Sequence, residues 1–480
     1  MSNGVNIEEI KALIGEGNVI VDPEQLRLAD GNNRWYEKAF KVSMIPPPEA
    51  IVYPSDVGDI VKILTYCNDN GINVITRGGG SGSEGLLEAR EPGAVMIDVS
   101  RLDKLISFDE YNMMATVQAG YSQEKLENMA NAKGLTTGHS PQSRPLAQMG
   151  GLVATRSIGQ FSTYYGGIED MLCGLEAVMP DGRVIRIRNV PRRSAGPDLK
   201  QLFIGSEGAI GIITEVTVKL FPYYPDAIWM GGYIVENIDV GFEAIRDVMV
   251  SGYKPSVIRL YDKPDMDHSF GSVRLKDEEA FMFFTTEGPP EISRGTGEGI
   301  DRIALKHGGV YVGTSAVEHW MEHRNDVCKT IGAEETSKRY RETKVYNATI
   351  EISANWSDIS KIYHNVTARV PEKIKNLVML GGHVSHSYVN GTNIYFIYEI
   401  KMDSPETSND EQMEFIKALC DEVIVFPTGG VVHHHGMGKQ RVIYAEREHG
   451  TSYSLMEDLK KAFDPNEIMN RGNLIQKYDL

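Results

Sequence analysis

The stretch that decides the fold is Ile72-Asn-Val-Ile-Thr76, which runs without a break into Arg77-Gly78-Gly79-Gly80-Ser81-Gly82. The first five residues are typical of a short strand, and the next six bring four glycines to its end. Glycines let backbone N–H groups approach an anion closely, and consecutive amides can form an anion-binding nest. The loop is neither a Walker loop nor a GxGxxG Rossmann turn. Taken alone, it predicts either a pyrophosphate-binding turn or a mobile surface turn.

A strand–helix–strand unit leads into this loop. Ala50-Ile-Val-Tyr-Pro54 predicts a strand, Ser55-Asp56 caps the following helix, and Gly71 ends that helix. The same kind of pattern predicts strands at 94–98, 115–119 and 212–219, a helix at 121–133, and a hairpin at 172–190 that turns at Asp181-Gly182. The first half of the chain is therefore predicted to form one domain that closes near residue 225.

Three more clusters of small and polar residues follow the first glycine loop. They are Thr136-Thr-Gly-His-Ser-Pro-Gln-Ser143, Met149-Gly-Gly-Leu-Val-Ala-Thr-Arg-Ser157 and Gly205-Ser-Glu-Gly-Ala-Ile-Gly-Ile-Ile-Thr214. Each places Gly, Ser and Thr at the edge of a predicted strand or helix. Four such clusters so close together argue against coincidental turns. They favour one long ligand, polar and aromatic, that lies across several loops.

The pattern changes in the second half of the chain. Long predicted strands such as Asn393–Ile400 alternate with helices such as Asp239–Val250, which is typical of an α+β plan with an antiparallel sheet. A last helix at Tyr453–Phe463 leads into Asp464-Pro-Asn-Glu-Ile-Met-Asn470. We therefore predict a first domain at 1–225 (core about 46–223), a cap domain at 226–445 and a C-terminal segment at 446–480.

The composition is that of a globular protein with an acidic surface. The 480 residues carry a formal net charge of −17, which disfavours nucleic acid and anionic membranes as partners. The four cysteines show no CxxC or disulfide spacing. We find no signal-peptide pattern and no apolar run of about 18 residues, so we expect a cytoplasmic protein without an integral membrane segment.

Three consecutive histidines, His433-His434-His435, are the strongest chemical signal in the chain. With 12 histidines in the sequence, such a run arises by chance about once in a hundred cases. The run follows an apolar stretch, Val423–Phe426, that we predict to be a strand. It forms either a polar loop or an imidazole cluster that takes a proton near neutral pH.

The order of the four glycine-bearing clusters resembles the FAD-binding domain of the vanillyl-alcohol-oxidase or PCMH-type family, which includes D-lactate and glycolate dehydrogenases. The resemblance covers nearly the whole chain. It implies an α+β fold with a two-subdomain FAD-binding domain, an α+β cap domain with an antiparallel sheet, and a C-terminal segment that returns to the FAD domain. It also implies that the FAD-binding residues are Arg77, Gly78, Gly79, Gly80, Ser81, Gly82, Thr137, Gly138, His139, Ser140, Ser143, Gly150, Gly151, Ala154, Thr155, Ser157, Glu207, Gly208 and Ile213.

The resemblance also addresses how FAD is held. Some members of the family have a histidine in the glycine loop that bonds covalently to the flavin. The matching residues here, Gly80-Ser81-Gly82, include no histidine. We therefore predict non-covalent FAD, with His139 as the nearest alternative point of attachment.

The catalytic residues are predicted from one branch of the family. The motifs Thr136-Thr-Gly-His139, Gly167-Ile-Glu-Asp170, Ala195-Gly-Pro-Asp198, Pro255–Leu260 and His433–Gly436 are similar to those of alkylglycerone-phosphate synthases and related bacterial FAD-linked oxidoreductases. By this resemblance Tyr395, Arg259, His433, His434 and His435 are catalytic, and Arg259 also binds substrate. The residues alone leave open that Tyr395 is a core aromatic and that Arg259 makes a surface ion pair with Asp262.

His383 departs from the synthase branch, which has an arginine at this place. A histidine here is similar to the metal-dependent D-2-hydroxyacid dehydrogenases, and we predict that His383 binds the substrate. His383 and His434 could supply two ligands to a metal ion, but no clear carboxylate completes the set. We therefore predict no metal site.

Three functional hypotheses follow. The first is an FAD-dependent oxidoreductase that dehydrogenates a small hydroxy acid or related alcohol by hydride transfer to flavin N5, with His435 or a neighbour taking the hydroxyl proton. The alternative is a synthase-like alkyl transfer without net redox, which explains His383 poorly. A non-catalytic flavoprotein is the third. The first needs an electron acceptor, such as an electron-transfer flavoprotein, and the resemblance implies a homodimer.

Overall fold

The computed structural model describes residues 4–31, 34–271, 273–330 and 332–477. The strands of the first half are β1 (Val19–Ile20), β2 (Ala50–Val52), β3 (Asn73–Arg77), β4 (Ala94–Asp98), β5 (Leu105–Asp109), β6 (Met114–Gln118), β7 (Leu135–Thr136), β8 (Leu172–Val178), β9 (Val184–Ile187), β10 (Ile212–Lys219) and β11 (Phe221–Pro222). Those of the second half are β12 (Trp229–Val235), β13 (Val257–Tyr261), β14 (Ala280–Thr286), β15 (Val310–Gly313), β16 (Val345–Asn355), β17 (Leu377–Val384) and β18 (Gly391–Lys401).

Helices accompany the strands in both halves. In the first half they are α1 (Ile7–Ile14), α2 (Pro23–Arg27), α3 (Trp35–Ala39), α4 (Val57–Asn70), α5 (Gln123–Asn131), α6 (Met149–Ala154), α7 (Ser162–Tyr165) and α8 (Ile168–Met171). In the second half they are α9 (Ile238–Val250), α10 (Lys263–Ser269), α11 (Pro290–Lys306), α12 (Ser315–His323), α13 (Val327–Thr330), α14 (Glu334–Thr343), α15 (Trp356–Lys373), α16 (Ser408–Ile424), α17 (Gly438–Arg441), α18 (Ala445–His449) and α19 (Tyr453–Phe463).

The first half is built on two main sheets that share one apolar core. One sheet has the order β1-β2-β4-β3, in which β2, β4 and β3 run parallel. The other is antiparallel and has the order β5-β6-β10-β8-β9. Because β3 is parallel to its neighbour β4 and ends at Arg77, the glycine loop leaves the sheet at the carboxyl edge of its strands, the usual place for a ligand in such sheets.

The second half is built on one antiparallel sheet with the order β15-β12-β14-β13-β17-β18-β16. Successive side chains of a strand point to opposite faces of the sheet, so the two faces of one strand contact different parts of the protein. Ile258 and Leu260 of β13 and Phe396 of β18 lie in the core formed with the helices α9, α11 and α15. Arg259 and Tyr395, at the alternate positions, lie on the opposite face, which lines the cavity described below.

The structure confirms the predicted fold class, an α+β protein with antiparallel sheets. Among the strands, 212–219 is confirmed as β10, and the predicted last helix is α19 with the same bounds. The predicted strand at Val423–Phe426 is wrong, because α16 continues to Ile424 and packs Val423 in the core. An apolar run of four residues does not distinguish a strand from the end of a buried helix.

The chain leaves the first half and later returns to it. The predicted domain boundary after residue 225 lies between β11 and β12. Near the C-terminus, Val74 N donates to Ile468 O at 2.7 Å and Asn470 N donates to Val74 O at 2.8 Å, so this segment runs beside β3. Within the described residues, no helix combines the length and the apolar character needed to cross a membrane.

Candidate active site

A cavity of about 920 Å³ lies between the two halves of the molecule and is lined by residues of both. Its first wall comes from the glycine-bearing loops and its second from the cavity face of the large sheet. Gly78–Gly82 stand on one side, while Arg259, His383, Tyr395, His434 and His435 stand on the other. The sequence had predicted these two sets of residues separately, and the structure brings them to one space.

The glycine loop is packed so tightly that a larger residue does not fit. A Cβ atom on Gly79 would lie 1.9 Å from the carbonyl oxygen of Leu146, which belongs to a second cavity-lining loop. Gly80 adopts a positive φ of 64°, a conformation that favours glycine. These two positions let the loop end β3 and turn its backbone toward the cavity.

Several buried polar atoms of the cavity wall lack a protein partner. Thr76 Oγ1, Gln148 Oε1 and Gln160 Oε1 are buried side-chain oxygens without a hydrogen bond among the described residues. Buried polar groups are nearly always paired in folded proteins. A bound ligand with its own donors and acceptors would pair them. The glycine backbone and these polar atoms fit the elongated, many-atom shape of FAD.

Glu207 ties the fourth glycine-bearing cluster to the segment after the histidine run. Its carboxylate accepts N–H groups from Met437 at 2.7 Å and Gly438 at 3.1 Å. Burial raises the pKa of Glu207 to about 7, against these donors, which favour the charged form. Glu207 therefore lines the cavity and also fixes the backbone of Met437 and Gly438.

The three histidines are held by one buried carboxylate. Glu351 Oε1 accepts the backbone N–H of His433 at 3.2 Å, of His434 at 2.9 Å and of His435 at 2.6 Å. Glu351 Oε2 accepts from Arg441 Nη1 at 2.6 Å, and both side chains are fully buried. Burial alone would raise the pKa of Glu351, but Arg441 and the imidazoles hold it well below its usual value. The histidine run is thus a fixed loop rather than a mobile polar one.

Two of the histidines form a hydrogen-bonded chain with two tyrosines. Tyr395 Oη lies 2.6 Å from His434 Nε2, His434 Nδ1 lies 2.8 Å from His433 Nδ1, and His433 Nε2 lies 2.8 Å from Tyr388 Oη. Burial lowers the pKa of His433 to about 4 and the pKa of His434 well below the ordinary value. Burial also raises the pKa of both tyrosines. All four side chains are therefore neutral near pH 7.

His435 has the opposite electrostatic surroundings. Its Nδ1 lies 3.4 Å from Glu84 Oε1, and Glu351 is close to the same imidazole. Burial would lower the pKa of His435, but the carboxylates of Glu351 and Glu84 raise it above the ordinary value. His435 is therefore the member of the run whose surroundings favour the protonated form.

His383 is fixed by a carboxylate and by two aromatic rings. Its Nδ1 lies 2.6 Å from Oδ2 of the fully buried Asp265. Its ring stacks between Tyr261, at 4.9 Å between centroids, and Tyr395, at 4.8 Å. A histidine whose Nδ1 is held by a carboxylate keeps Nε2 for another partner. His383 can therefore present Nε2 to a substrate in the cavity.

Arg259 is buried, and no carboxylate of the described residues forms an ion pair with it. It is 5% exposed, its Nη1 donates to Ser385 Oγ, and its Nε has no hydrogen bond in the described residues. Its guanidinium lies 4.7 Å above the ring of Trp320. The ion pair with Asp262 that the sequence left open does not form, because Asp262 accepts from Tyr363 and from the backbone of Gly382. Arg259 is thus a positive charge available to an anion.

The cofactor residues predicted from the sequence fall into two groups in the structure. Those on the cavity wall are Gly78, Gly79, Gly80, Ser81, Gly82, Ser143, Gly150, Gly151, Ala154, Thr155, Ser157, Glu207, Gly208 and Ile213. Arg77 instead bonds Asp98 at 2.5 Å and Tyr53 at 3.1 Å, which anchors the base of the loop. Thr137, Gly138, His139 and Ser140 do not line this cavity, and His139 is buried with neither ring nitrogen hydrogen-bonded within the described part of the chain.

Several residues with clear roles in this site were missed by sequence reasoning. They are Glu84, Asp265, Glu351, Tyr388, His386 and Arg441. Glu351 left a usable signal, because it is a lone carboxylate in the alternating strand β16. The others act through partners more than 40 residues away in sequence, and no local pattern reports such contacts.

A metal ion has no evident set of ligands here. Among the described residues, no group of three or more His, Cys, Asp and Glu side chains is placed to hold one. Of the two histidines that the sequence offered, His434 has both ring nitrogens in hydrogen bonds and His383 has Nδ1 on Asp265.

The chain matches two family models. One, described as FAD binding domain, matches residues 48–188, and the other, described as FAD linked oxidases, C-terminal domain, matches residues 227–474. The first covers most of the glycine-bearing clusters and the second covers the large sheet and the histidine run.

Three relatives and one solved structure are similar to the chain over most of its length. The FAD-linked oxidoreductase YgcU of Escherichia coli strain K12 is 42% identical over 99% of both chains. Alkyldihydroxyacetonephosphate synthase of Caenorhabditis elegans is 27% identical over 98% of this chain and 81% of its own length. A solved structure of such a synthase superposes with a TM-score of 0.79 at 22% identity, covering 98% of this chain and 85% of that one. The glycolate oxidase subunit GlcD of Bacillus subtilis is 26% identical over 90% of this chain and 89% of its own.

Proposed function

The chain belongs to the family of FAD-linked oxidases, and on this basis we propose that it dehydrogenates a small 2-hydroxy acid or a related alcohol. The observation that carries the proposal is the buried guanidinium of Arg259, whose Nε has no hydrogen bond among the described residues and which lies on the same sheet face as Tyr395 and His383. A planar guanidinium binds a carboxylate through two parallel hydrogen bonds. A carboxylate bound there would place the neighbouring hydroxyl among the phenol and imidazole groups.

The protein's task is to bind, orient and deprotonate the substrate. When bound, FAD accepts the hydride that leaves the substrate carbon. Arg259 holds the carboxylate, His383 donates or accepts through Nε2 at the substrate oxygens, and Tyr395 contacts the hydroxyl. Holding these groups in place removes much of the entropic barrier to the reaction.

We assign the hydroxyl proton to the Tyr395–His434 pair rather than to His435. His435 is held toward its protonated form by Glu84 and Glu351, and a protonated imidazole cannot accept another proton. Tyr395 lies 2.6 Å from His434 Nε2, so a proton taken by the phenol oxygen has an immediate acceptor behind it. His435 instead contributes positive charge beside the cavity.

The relatives support this choice of substrate class. GlcD is named for glycolate, a 2-hydroxy acid, and it aligns with 90% of this chain. We further propose that an electron-transfer flavoprotein or another electron acceptor reoxidises the enzyme, and that the enzyme is a homodimer. Sedimentation of the FAD-loaded protein tests whether it is a homodimer.

The synthase reaction is the second candidate function. Its support is the 27% identity to the Caenorhabditis elegans synthase over 98% of this chain, together with Tyr395, Arg259 and the histidine run. His383 weighs against it, because the synthase branch has an arginine at this place and its substrate carries a phosphate. An imidazole whose Nδ1 is bound to Asp265 is a weaker anion ligand than a guanidinium, which offers several N–H donors.

Anaerobic spectroscopy separates the two candidates. The FAD-loaded protein is mixed without oxygen with glycolate, D-lactate, L-lactate and longer 2-hydroxy acids, and the flavin absorbance is followed. We expect at least one of these acids to bleach the flavin and to appear as the corresponding 2-oxo acid. No bleaching by any of them, with alkyl exchange on an acylated dihydroxyacetone phosphate, would instead assign the synthase reaction.

A further inference from the structure

The hydrogen-bonded chain Tyr395–His434–His433–Tyr388 extends from the cavity toward the surface of the protein. Tyr395 and His434 line the cavity, while His433 and Tyr388 do not. Tyr388 is half-buried, and the next residue, Val389, is 65% exposed. We propose that this chain is the exit path by which the substrate's hydroxyl proton leaves the site, with His433 and Tyr388 as relay residues that never touch the substrate.

The need for such a path follows from the proposed function, on which this inference rests. Oxidation of a carbinol to a carbonyl breaks one C–H bond and one O–H bond. The carbon loses two electrons with the hydride, which goes to bound FAD, and the hydroxyl proton remains. The side chains that would receive this proton are buried, so the proton needs a route from them to solvent.

The geometry supports one balanced shift of protons. The substrate O–H bond breaks as Tyr395 Oη takes the proton, and Tyr395 passes its own proton to His434 Nε2. His434 passes the proton on Nδ1 to His433 Nδ1, and His433 passes the proton on Nε2 to Tyr388 Oη. Tyr388 releases its proton outward. One proton enters and one leaves, and each of the four side chains ends neutral.

The bond between the two Nδ1 atoms couples the two imidazoles. At 2.8 Å, one of the two nitrogens must carry the proton and the other must accept it. In two neutral imidazoles this forces opposite tautomers, so a proton arriving at one end is matched by a proton leaving at the other. Two histidines that merely filled space would not need this arrangement.

The buried surroundings of the four side chains disfavour a charge on any one of them, so they favour transfer of a proton through the chain. Burial lowers the pKa of His433 to about 4 and that of His434 well below the ordinary value, so neither imidazole holds an extra proton near pH 7. Burial also raises the pKa of Tyr388 and Tyr395, so neither phenol remains ionised. A proton that enters this chain is therefore moved on.

The outer end of the chain is a polar part of the surface. The charged groups nearest Tyr388 are Glu169, Arg156 and Asp170. Arg156 Nε bonds Glu169 Oε1 at 3.1 Å, and these side chains are 62% and 20% exposed. The backbone of Tyr388 is fixed by its own N–H to Gly391 O at 2.8 Å and by Trp356 Nε1 to its carbonyl at 3.2 Å. The backbone of Tyr388 is thus fixed beside Arg156, which is largely exposed and is one of the charged groups around the phenol.

The kinetic test uses two relay variants and a control. Tyr388→Phe removes the outer oxygen, and His433→Asn keeps an amide near the Nδ1 position while removing the path to Tyr388. Tyr233→Phe is the control, because Tyr233 Oη also makes one 2.6 Å hydrogen bond, to Asp301, but lies outside the cavity. Anaerobic flavin reduction by a reactive 2-hydroxy acid is measured in H₂O and in D₂O.

We expect both relay variants to slow flavin reduction by about tenfold or more. We also expect a larger solvent deuterium effect with unchanged FAD content and unchanged half-saturating substrate concentration. The control should match the wild type. Wild-type rates and solvent effects in both relay variants would overturn the proposal, and so would a loss confined to substrate affinity.

A second measurement does not depend on turnover. In FAD-loaded protein labelled with ¹⁵N-histidine, the ring nitrogen shifts report tautomer and charge, with His433→Asn and His434→Asn used for assignment. We expect both imidazoles to be neutral and of opposite tautomers between pH 6 and 8. Two identical tautomers, or a cationic ring in that range, would refute the relay. Failure of every hydroxy acid to bleach the flavin would refute the proposed function alone.

Discussion

At the scale of single residues, the site depends on a few buried side chains whose charge is set by their neighbours. His435 and His434 are adjacent in sequence, yet carboxylates raise the pKa of the first and burial lowers the pKa of the second. Arg259 lacks a carboxylate partner among the described residues. These differences in charge and pairing suggest different roles for His434, His435 and Arg259, which the sequence predicted only as one catalytic group.

Replacement of Arg259 tests the anion site. Arg259→Met removes the guanidinium while keeping the apolar contact with Trp320, and a hydrogen bond to a charged group contributes about 1.5–3 kcal/mol. We expect the half-saturating concentration of the hydroxy acid to rise roughly 10- to 100-fold, from the same energy range. The concentration dependence of anaerobic flavin reduction gives the answer. Arg369→Met, on the exposed face of α15, is the control and should have no effect. An unchanged value for Arg259→Met would move the carboxylate site elsewhere.

The pH dependence tests the charge of His435. A histidine whose pKa is raised in the folded protein is protonated below that pKa and loses its charge as the pH rises through it. A step that needs this charge therefore declines above the ordinary histidine value of about 6.5. Glu84→Gln removes one of the two carboxylates that raise the pKa, so the declining limb should move to lower pH. A pH profile of flavin reduction that is identical in both proteins would exclude His435 as the charged group.

At the scale of elements, the site depends on loops that are fixed by contacts distant in sequence. The loop 78–82 is held against Leu146, and the loop 433–435 is held by Glu351 of β16. Both contacts use backbone groups, so they position whole segments rather than single side chains.

Gly79→Ala tests the packing of the glycine loop. The added Cβ would lie 1.9 Å from Leu146 O, so the two cavity-lining loops would have to separate. We expect the purified protein to contain less than half of the wild-type FAD per chain, measured from the absorbance ratio. Gly295→Ala is the control, since its Cβ would meet nothing within 4 Å and it lies within helix α11. Full FAD content in Gly79→Ala would mean that this loop does not contact the cofactor.

Glu351→Gln tests the anchor of the histidine loop. Of the two ion pairs that the described residues give to the buried Arg441, the change leaves the one with Glu84, and breaking a buried pair costs about 3–5 kcal/mol. A carboxylate with a lowered pKa stabilises the fold above its unfolded pKa of about 4.3, and this contribution is lost as the pH falls through the folded value. We expect a clear loss of stability in denaturant unfolding at pH 7 that shrinks below about pH 4.

The surface pair of α15 provides the control for this change. Glu372→Gln breaks an exposed contact with Arg369 and should alter stability by less than about 0.5 kcal/mol. If Glu351→Gln behaves like Glu372→Gln, the carboxylate does not fix the loop.

Local patterns predicted the fold better than they predicted the site. Periodicity and capping placed β10, α4 and α19, because these elements carry their signals within the segment. The strand predicted at Val423–Phe426 failed because a short apolar run fits either structure. Tyr395, Arg259 and the histidine run could be found from resemblance. Asp265, Glu351 and Tyr388 could not, because their roles exist only after β13, β16, β17 and β18 come together.

At the scale of the whole molecule, one cavity between two halves joins cofactor binding to substrate chemistry. The first half supplies a backbone surface with unpaired polar atoms, and the second supplies Arg259, His383, Tyr395 and His434. The C-terminal segment closes the arrangement, since Asn470 on the cavity wall bonds Lys439 at 2.7 Å and the carbonyl of Glu207 at 2.8 Å. Neither half has a complete site alone.

A crystal structure of the FAD-loaded Tyr395→Phe protein, soaked without oxygen in glycolate, tests this central claim most directly. The account predicts that the pyrophosphate of FAD lies against residues 78–82. It also predicts that the glycolate carboxylate lies on Arg259 and that its hydroxyl faces residue 395. A cofactor that lies away from the glycine loop, or a carboxylate bound away from Arg259, would contradict it.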